Sequence, residues 1–388
     1  MNILLYFVNQ IKPQCGGTER VADNVAHGLK MRGHNVFYMS RIRVEGKYDI
    51  PCFFLPDTVG ITQNNIIYVN EFCKDKKIDV IINEAGNTDD VRLFSHEHIK
   101  GVKIITELHF CPMQSLRFYY QSLQLPIKFK YPVQSIINLC KWIKAPYNRH
   151  YTFKNISRNY HYMYNNSDMV VVLSPSYIKE FADFASVSDY SKLISIYNPN
   201  TFTPSEYPLK KEKVVISIGR LEYSPKRIDL LLDIWKQVYT NHKDWSLEIC
   251  GDGNHKEFLE QYVEKNNIQG VKFKGNVIPQ SYYERASIMC MTSLNEGAPM
   301  VIIEAMQCKC VPIVYDTYSA AKDLIADGET GYIIPPFDKH SYAEKLSRLM
   351  DDEDLRQQMA DKALASTKRF DLDMIIDEWE ILIKQLCK

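Results

Sequence analysis

Short apolar runs alternate with stretches of helical periodicity along most of the chain. The first run covers residues 3–8. Gly16 and Gly17 follow, and a helix is predicted over about 18–32, where Val21, Val25 and Leu29 recur every fourth residue with Ala22 and Ala26 beside them. Further strands are predicted at 35–39, 79–82, 103–106 and 169–173. Strand, helix, strand in this order builds βαβ units, and those build a parallel sheet. The pattern restarts after residues 198–212, a stretch rich in Pro, Asn, Thr and Lys. A strand at 214–218 leads through a Gly-Arg-Leu turn into a helix over about 227–239. Strands follow at 246–250, 271–274, 288–292 and 311–315, with helices between them and two more after Phe337. The fold expected is α/β, with two doubly wound halves facing a cleft. The N-terminal half covers 1–197, the linker 198–212 and the second half 213–369; a last helix over 370–388 packs back on the first half. In such sheets ligands bind beyond the carboxyl ends of the strands.

Length and charge narrow the picture. A chain of 388 residues suits two domains. With 45% hydrophobic and 24% charged residues it is globular in composition rather than disordered. Lysine and arginine total 47, as do aspartate and glutamate, so no global field favours nucleic acid, and no nucleic-acid partner is expected. No run approaches the roughly 18 apolar residues of a membrane-spanning helix. The first run lacks a basic leader and a small-residue cleavage site, so it reads as a strand rather than a secretion signal. The expected compartment is the cytoplasm, at most touching the inner face of a membrane.

Ten cysteines are scattered without a CxxC pair. Cys308 and Cys310 fall in an apolar stretch and read as buried free thiols. Asp352-Glu-Asp354 and Asp371-Leu-Asp373 have the look of a D-x-D metal motif. Both stand at predicted helix starts, where aspartate caps the helix and complements its dipole. No metal site is expected.

Residues 108–167 depart from the alternation. In 60 residues they hold no Asp or Glu, eight Lys or Arg, and thirteen Phe, Tyr or Trp. Val133, Ile136, Ile137, Cys140 and Lys144 fall at helical spacing, with Lys141 and Trp142 alongside. One reading is an interfacial helix lying peripherally on an anionic membrane leaflet. The other is a helical subdomain whose aromatics form a small core and whose cations are solvated. Both stay open at the level of sequence.

The strongest chemical signal is Glu296-Gly-Ala-Pro-Met-Val-Ile-Ile-Glu304. Glu296 falls in the loop after a strand, and Pro299 suits the first position of the next helix, where its missing N–H costs nothing. The free N–H groups around Ala298 to Val301 would attract a diphosphate. Glu304 can hold ribose hydroxyls, and Glu296 can reach sugar hydroxyls. The alternative is a helix with an acidic start and a solvated Glu304.

Residues 293–314 are similar to the E-x7-E signature of the large retaining family of GT-B glycosyltransferases, glycosyltransferase family 4. Three landmarks agree in order. Cys15-Gly-Gly-Thr-Glu-Arg20 resembles the family's first glycine loop. Gly219-Arg220-Leu221 followed by Lys226 resembles its phosphate-binding pair, and Gly251-Asp-Gly253 and Gly275-Asn-Val277 resemble the turns near base and ribose. The likeness is strong over 213–335, weaker over 1–107 and silent over 110–165. It implies two Rossmann-like domains and a nucleotide-sugar donor, UDP-linked by family frequency. Gly16, Gly17, Gly219, Gly251, Asn276, Val277, Glu296, Gly297, Ala298, Pro299, Met300 and Glu304 would line the donor. Arg220 and Lys226 would neutralise the diphosphate, whose charge grows as the glycosidic bond breaks. Their spacing is one residue longer than the family pattern, which brings in Arg227 as a substitute for Lys226. His109, at the carboxyl end of its strand, would contact the sugar near the reacting carbon; its alternative is a satisfied loop histidine.

The N-terminal half shows no second carboxylate suited to act as a nucleophile. That fits the front-face mechanism usually ascribed to retaining members, in which the leaving phosphate takes the acceptor's proton. No cofactor is implied beyond the donor itself. The acceptor expected is a growing cell-surface glycan or a lipid-linked one. Two other functions compete. A GT-B-like epimerase would have no acceptor, and a phosphorylase would need a pyridoxal phosphate lysine and a longer chain. An inert sugar-nucleotide-binding scaffold would have let the acidic pair or Arg220 and Lys226 decay, yet all four are present.

Overall fold

The computed structural model describes residues 1–11, 16–43, 49–86, 88–113, 116–123, 132–200, 202 and 210–388. The first part of the chain runs β1 (Asn2–Asn9), α1 (Gly17–Met31), β2 (Asn35–Ile42), β3 (Cys52–Phe54), α2 (Gln63–Asp75), β4 (Val80–Asn83), β5 (Lys103–Leu108), α3 (Tyr119–Ser122), α4 (Pro132–Ile143), α5 (Ala145–Asn166), β6 (Met169–Val172), α6 (Pro175–Ala185) and β7 (Leu193–Ser195). It continues through β8 (Glu212–Ile218), α7 (Ile228–Val238), β9 (Ser246–Cys250), α8 (Lys256–Lys265), β10 (Val271–Gly275), α9 (Pro279–Arg285), β11 (Ala286–Met291) and α10 (Met300–Gln307). The last elements are β12 (Val311–Tyr315), α11 (Ala320–Leu324), β13 (Tyr332–Ile334), α12 (Lys339–Asp351), α13 (Glu353–Ser366) and α14 (Leu372–Leu386).

Two parallel sheets result, in the orders β3-β2-β1-β4-β5-β6-β7 and β10-β9-β8-β11-β12-β13. The central strands read as unbroken apolar runs because helices cover both faces. Ile3, Leu4, Leu5 and Tyr6 of β1 are all fully buried, as is every residue of β11 and β12. The strand order reverses between β1 and β4 in one sheet and between β8 and β11 in the other. Such reversals leave a crevice at the carboxyl edge. The strands β3, β7 and β13, which periodicity did not anticipate, are three residues each and lie at or next to a sheet edge. Runs that short carry no period to read.

The two sheets belong to separate compact units. One is Met1–Met113, Phe153–Thr201 and Arg369–Lys388; the other is Gln114–Thr152 and Phe202–Lys368. The expected unbroken half over 1–197 is therefore interrupted, since 114–152 groups with the second sheet. Three helices rather than two follow Phe337, because Asp352 stops α12 and caps α13 by accepting from Leu355 N at 2.9 Å. The last helix, α14, contributes Ile375, Ile376, Trp379, Leu382 and Ile383 to the core formed by β1 and by Val25, Ala26 and Leu29 of α1. The two helices cross closely at Gly28, where a Cβ would sit 2.4 Å from Ile376 Cγ1. Asp371 does not cap α14 through its side chain; it accepts instead from Asn200 Nδ2 at 3.0 Å. Cys308 and Cys310 are buried free thiols, and burial pushes both up to about 12.

Candidate active site

In the second unit, the loops after β8, β9, β10 and β11 gather at the carboxyl edge beside the β8/β11 reversal. Gly219 follows β8, and Gly251 (φ 142°) follows β9. A Cβ on Gly251 would lie 1.9 Å from the Gly219 carbonyl oxygen, so these two turns touch through bare backbone. Gly251 N donates to Gly275 O at 2.7 Å, which ties in the turn that carries Asn276, exposed, and Val277, half-buried. Gly251→Ala should cost about 3 kcal/mol of stability or more, since backbone must move to admit the methyl group. Urea unfolding checks this; an unshifted midpoint would contradict the contact.

Lys226 and Glu296, on separate turns in the sequence, form an ion pair across the reversal. Lys226 Nζ lies 2.6 Å from Glu296 Oε1, with side chains 17% and 13% exposed. The Lys226 stem passes close to Gly219, its Cε 3.3 Å from where a Cβ would stand. Leu294 N donates to Pro225 O at 2.8 Å, and Thr292 Oγ1 donates to Arg227 O at 2.9 Å, so the two loops are pinned together. Arg227, the possible substitute for Lys226, is engaged elsewhere. Its guanidinium holds Asp229 (2.8 Å), lies over the Tyr223 ring and donates to Gln121 O at 3.2 Å. Arg220 is 76% exposed, with Glu222 at 3.4 Å.

The turn into α10 begins one residue later than expected. Pro299 has ψ 110°, an extended value, so it precedes the helix and Met300 opens it. Gly297 is half-buried, while Ala298, Pro299 and Met300 are buried. Glu304 is only 2% exposed, which removes the reading of a solvated carboxylate. Tyr318, just past β12, was not legible in the sequence. It is 1% exposed, and its hydroxyl has no hydrogen-bond partner among the described residues. Burial, with the carboxylates of Glu296 and Asp316 nearby, pushes its pKa well up, so the phenol stays neutral and able to donate. Thr317 Oγ1, donating to Ser293 O at 2.6 Å, holds this loop against the one that carries Glu296.

The first unit has its own cluster at the carboxyl ends of β4 and β5. His109 is 8% exposed; its Nε2 lies 2.5 Å from Glu84 Oε2, and its Nδ1 lies 3.8 Å from Glu107 Oε1. The side chains of Glu84 and Glu107 share a hydrogen bond. Gly86 packs on the Glu107 carbonyl so closely that a Cβ would come within 2.3 Å. Gly16 caps the start of α1 and Gly17 opens it, with Glu19 folded over Gly16; Cys15 lies outside the described residues.

Burial pushes Glu84 up to about 8. Burial and then the charge of Glu84 push Glu107 well up, while burial draws His109 down against the pull of Glu107 and Glu19. Two carboxyl groups that the sequence did not single out accompany His109. Their only sequence mark is a polar residue closing each apolar run (Ile82-Asn83-Glu84 and Ile105-Thr106-Glu107). Donor atoms of Glu84, Glu107 and His109 lie within 4.8 Å of one another, a set able to ligate a cation. The Glu84–His109 bond already satisfies two of the three.

Two doubly wound parallel sheets define the GT-B class of glycosyltransferase folds. The chain superposes on Anabaena HepE in complex with UDP with a TM-score of 0.70 at 18% identity, covering 99% of this chain and 100% of that one. Residues 201–365 match the family model described as Glycosyl transferases group 1. An uncharacterized glycosyltransferase of Haemophilus influenzae is 26% identical over 383 residues, 94% of this chain and 95% of the relative. A Campylobacter jejuni alpha-1,4-N-acetyl-D-galactosaminyltransferase, named for a GalNAc-bearing diNAcBac-PP-undecaprenol, is 32% identical over 178 residues. That match covers 46% of this chain and 49% of the relative.

Proposed function

We propose that the protein is a retaining glycosyltransferase moving a hexose or N-acetylhexosamine from a UDP-linked donor to a cell-surface glycan or lipid-linked acceptor. The observation that carries this reading is the Lys226–Glu296 pair beside the β8/β11 reversal. A cation sits there for the diphosphate, and a carboxylate beside it for sugar hydroxyls. Glu304, buried on α10, would accept from ribose hydroxyls, and Tyr318 is a neutral donor near Glu296. Arg220 and Lys226 neutralise the diphosphate without a metal. The UDP bound by the structurally similar HepE and the undecaprenol diphosphate glycan for which the Campylobacter enzyme is named support the donor and acceptor classes.

In the reaction the anomeric carbon–oxygen bond breaks and the pair of electrons leaves on the β-phosphate. The acceptor hydroxyl attacks from the same face and passes its proton to that phosphate. Glu84 and Glu107 do not supply a covalent alternative. Burial holds both toward the protonated form, and Glu84 is engaged by His109, so neither is a ready nucleophile.

Incubation with a panel of labelled nucleotide sugars, with and without a lipid-linked acceptor, tests the reading, and the anomeric configuration of the product tests retention. Glu304→Ala should weaken UDP binding by about 1.5–3 kcal/mol, the scale of a hydrogen bond to a charged group. Calorimetric titration would show this. A folded variant with unchanged affinity would remove Glu304 from the ribose site, and absence of both UDP binding and transfer would overturn the function.

A further inference from the structure

Helix α4 is built the wrong way round for a soluble protein. At about 100° per residue, Val133, Ile136, Ile137, Leu139, Cys140 and Ile143 share one broad face, and Asn138 lies opposite. An ordinary surface helix turns such an apolar face inward. Here Asn138 is the buried residue, at 2% exposure, while Val133 and Ile143 are each 70% exposed and Ile136 is 63%. Ile137 and Leu139 are also exposed. The next helix, α5, continues the pattern with Tyr147 and Tyr151, both exposed and stacked with ring centroids 6.3 Å apart. Exposed Lys141 and Lys144 border the apolar residues, and residues 108–167 hold no carboxylate side chain.

We propose that this face docks on the surface of an anionic lipid bilayer. The apolar residues would enter the boundary between headgroups and acyl chains, the tyrosines would sit at headgroup level, and the lysines would meet lipid phosphates. Charge selects this occupant: exposed Lys141 and Lys144 beside the apolar face, in a segment of sequence without acids, complement an anionic plane. The helix has 12 residues, about 18 Å, so it lies on a bilayer instead of crossing it. Among the described residues no helix is long and apolar enough to span one. The inference is independent of the donor chemistry, since none of these residues belongs to the donor site.

Flotation of the full chain with vesicles tests it. Vesicles of equal parts phosphatidylglycerol and phosphatidylcholine should carry the protein upward at low salt, and rising salt should release it. Pure phosphatidylcholine vesicles should bind it at least tenfold less. Lys141→Glu with Lys144→Glu should weaken binding to anionic vesicles by tenfold or more, since each cation near such a surface is worth about fivefold. Ile136→Ser with Ile143→Ser should weaken it comparably, and both pairs are exposed, so folding and UDP affinity should be preserved. Equal binding to both vesicle types, or binding indifferent to both pairs of substitutions, would overturn the proposal. So would concentration-dependent self-association without vesicle binding, which would assign the face to a second copy of the chain.

Discussion

Replacing Lys226 with alanine is expected to lower kcat about a hundredfold or more while changing the Michaelis constant far less. The donor diphosphate carries charge in the ground state, but that charge grows as the bond to the sugar breaks. A cation held against it therefore gains most at the transition state, where loss of one fixed donor is worth about 10²–10³ in rate. Lys226 is held: its ammonium lies 2.6 Å from Glu296 in a site mostly closed to water. The alanine variant also removes the counter-charge of the Glu296 carboxylate, so a second variant separates the effects. If Lys226 served only to neutralise Glu296, the double variant with Glu296→Ala would match Glu296→Ala alone in kcat. The expected outcome is that it does not. Steady-state kinetics decide, and a pure Michaelis-constant effect in Lys226→Ala would leave the lysine an ordinary binding residue.

The second large effect concerns pH. In the unfolded chain a glutamate ionises near 4.3. Folded, Glu84 is pushed up to about 8. The native protein thus keeps a proton that the unfolded chain releases. The stability this group contributes is complete below about pH 4 and is lost as pH rises to about 8. His109 acts oppositely: its folded pKa is drawn down, so its contribution is lost as pH falls below about 6.5. Between about pH 6.5 and 8 the carboxyl contribution dominates, and stability should fall by about 2 kcal/mol across that window. Glu84→Gln can still accept from His109 but cannot ionise, so its decline should be clearly flatter, though not abolished, since Glu107 remains. Urea unfolding at both ends of the window measures this, and parallel declines would remove Glu84 as the source.

What could be read from the sequence follows from which residues carry local signals. Strands β1, β8, β9 and β12 are apolar runs with turn residues after them, and their positions are visible to within a residue or two. Glu296 and Glu304 are visible because a loop and a helix turn fix their spacing. The Lys226–Glu296 pair is not visible, because it spans 70 positions and depends on β8 and β11 lying side by side. Glu84 and Tyr318 were missed for the same reason: each acquires its neighbours only from the order of strands in a sheet. The outward apolar face of α4 was open to two readings because periodicity gives the face but not its direction; the burial of Asn138 supplies that direction.

The pairing of Lys226 with Glu296 also divides the labour between two cations that look alike in the sequence. Lys226 already has a counter-ion, so the resting site presents little of its charge to an approaching anion. Arg220, largely in water and only loosely paired with Glu222, is the charge felt at a distance. Capture of an anionic donor would then be governed by Arg220 and would slow as salt screens it. Lys226 would enter afterwards, by exchange of one anion for another, and the carboxylate released from the lysine in that exchange would accept from the incoming sugar. On this account the internal ion pair keeps the site charge-balanced while it waits and hands over its two halves, one to each end of the donor, when the donor arrives.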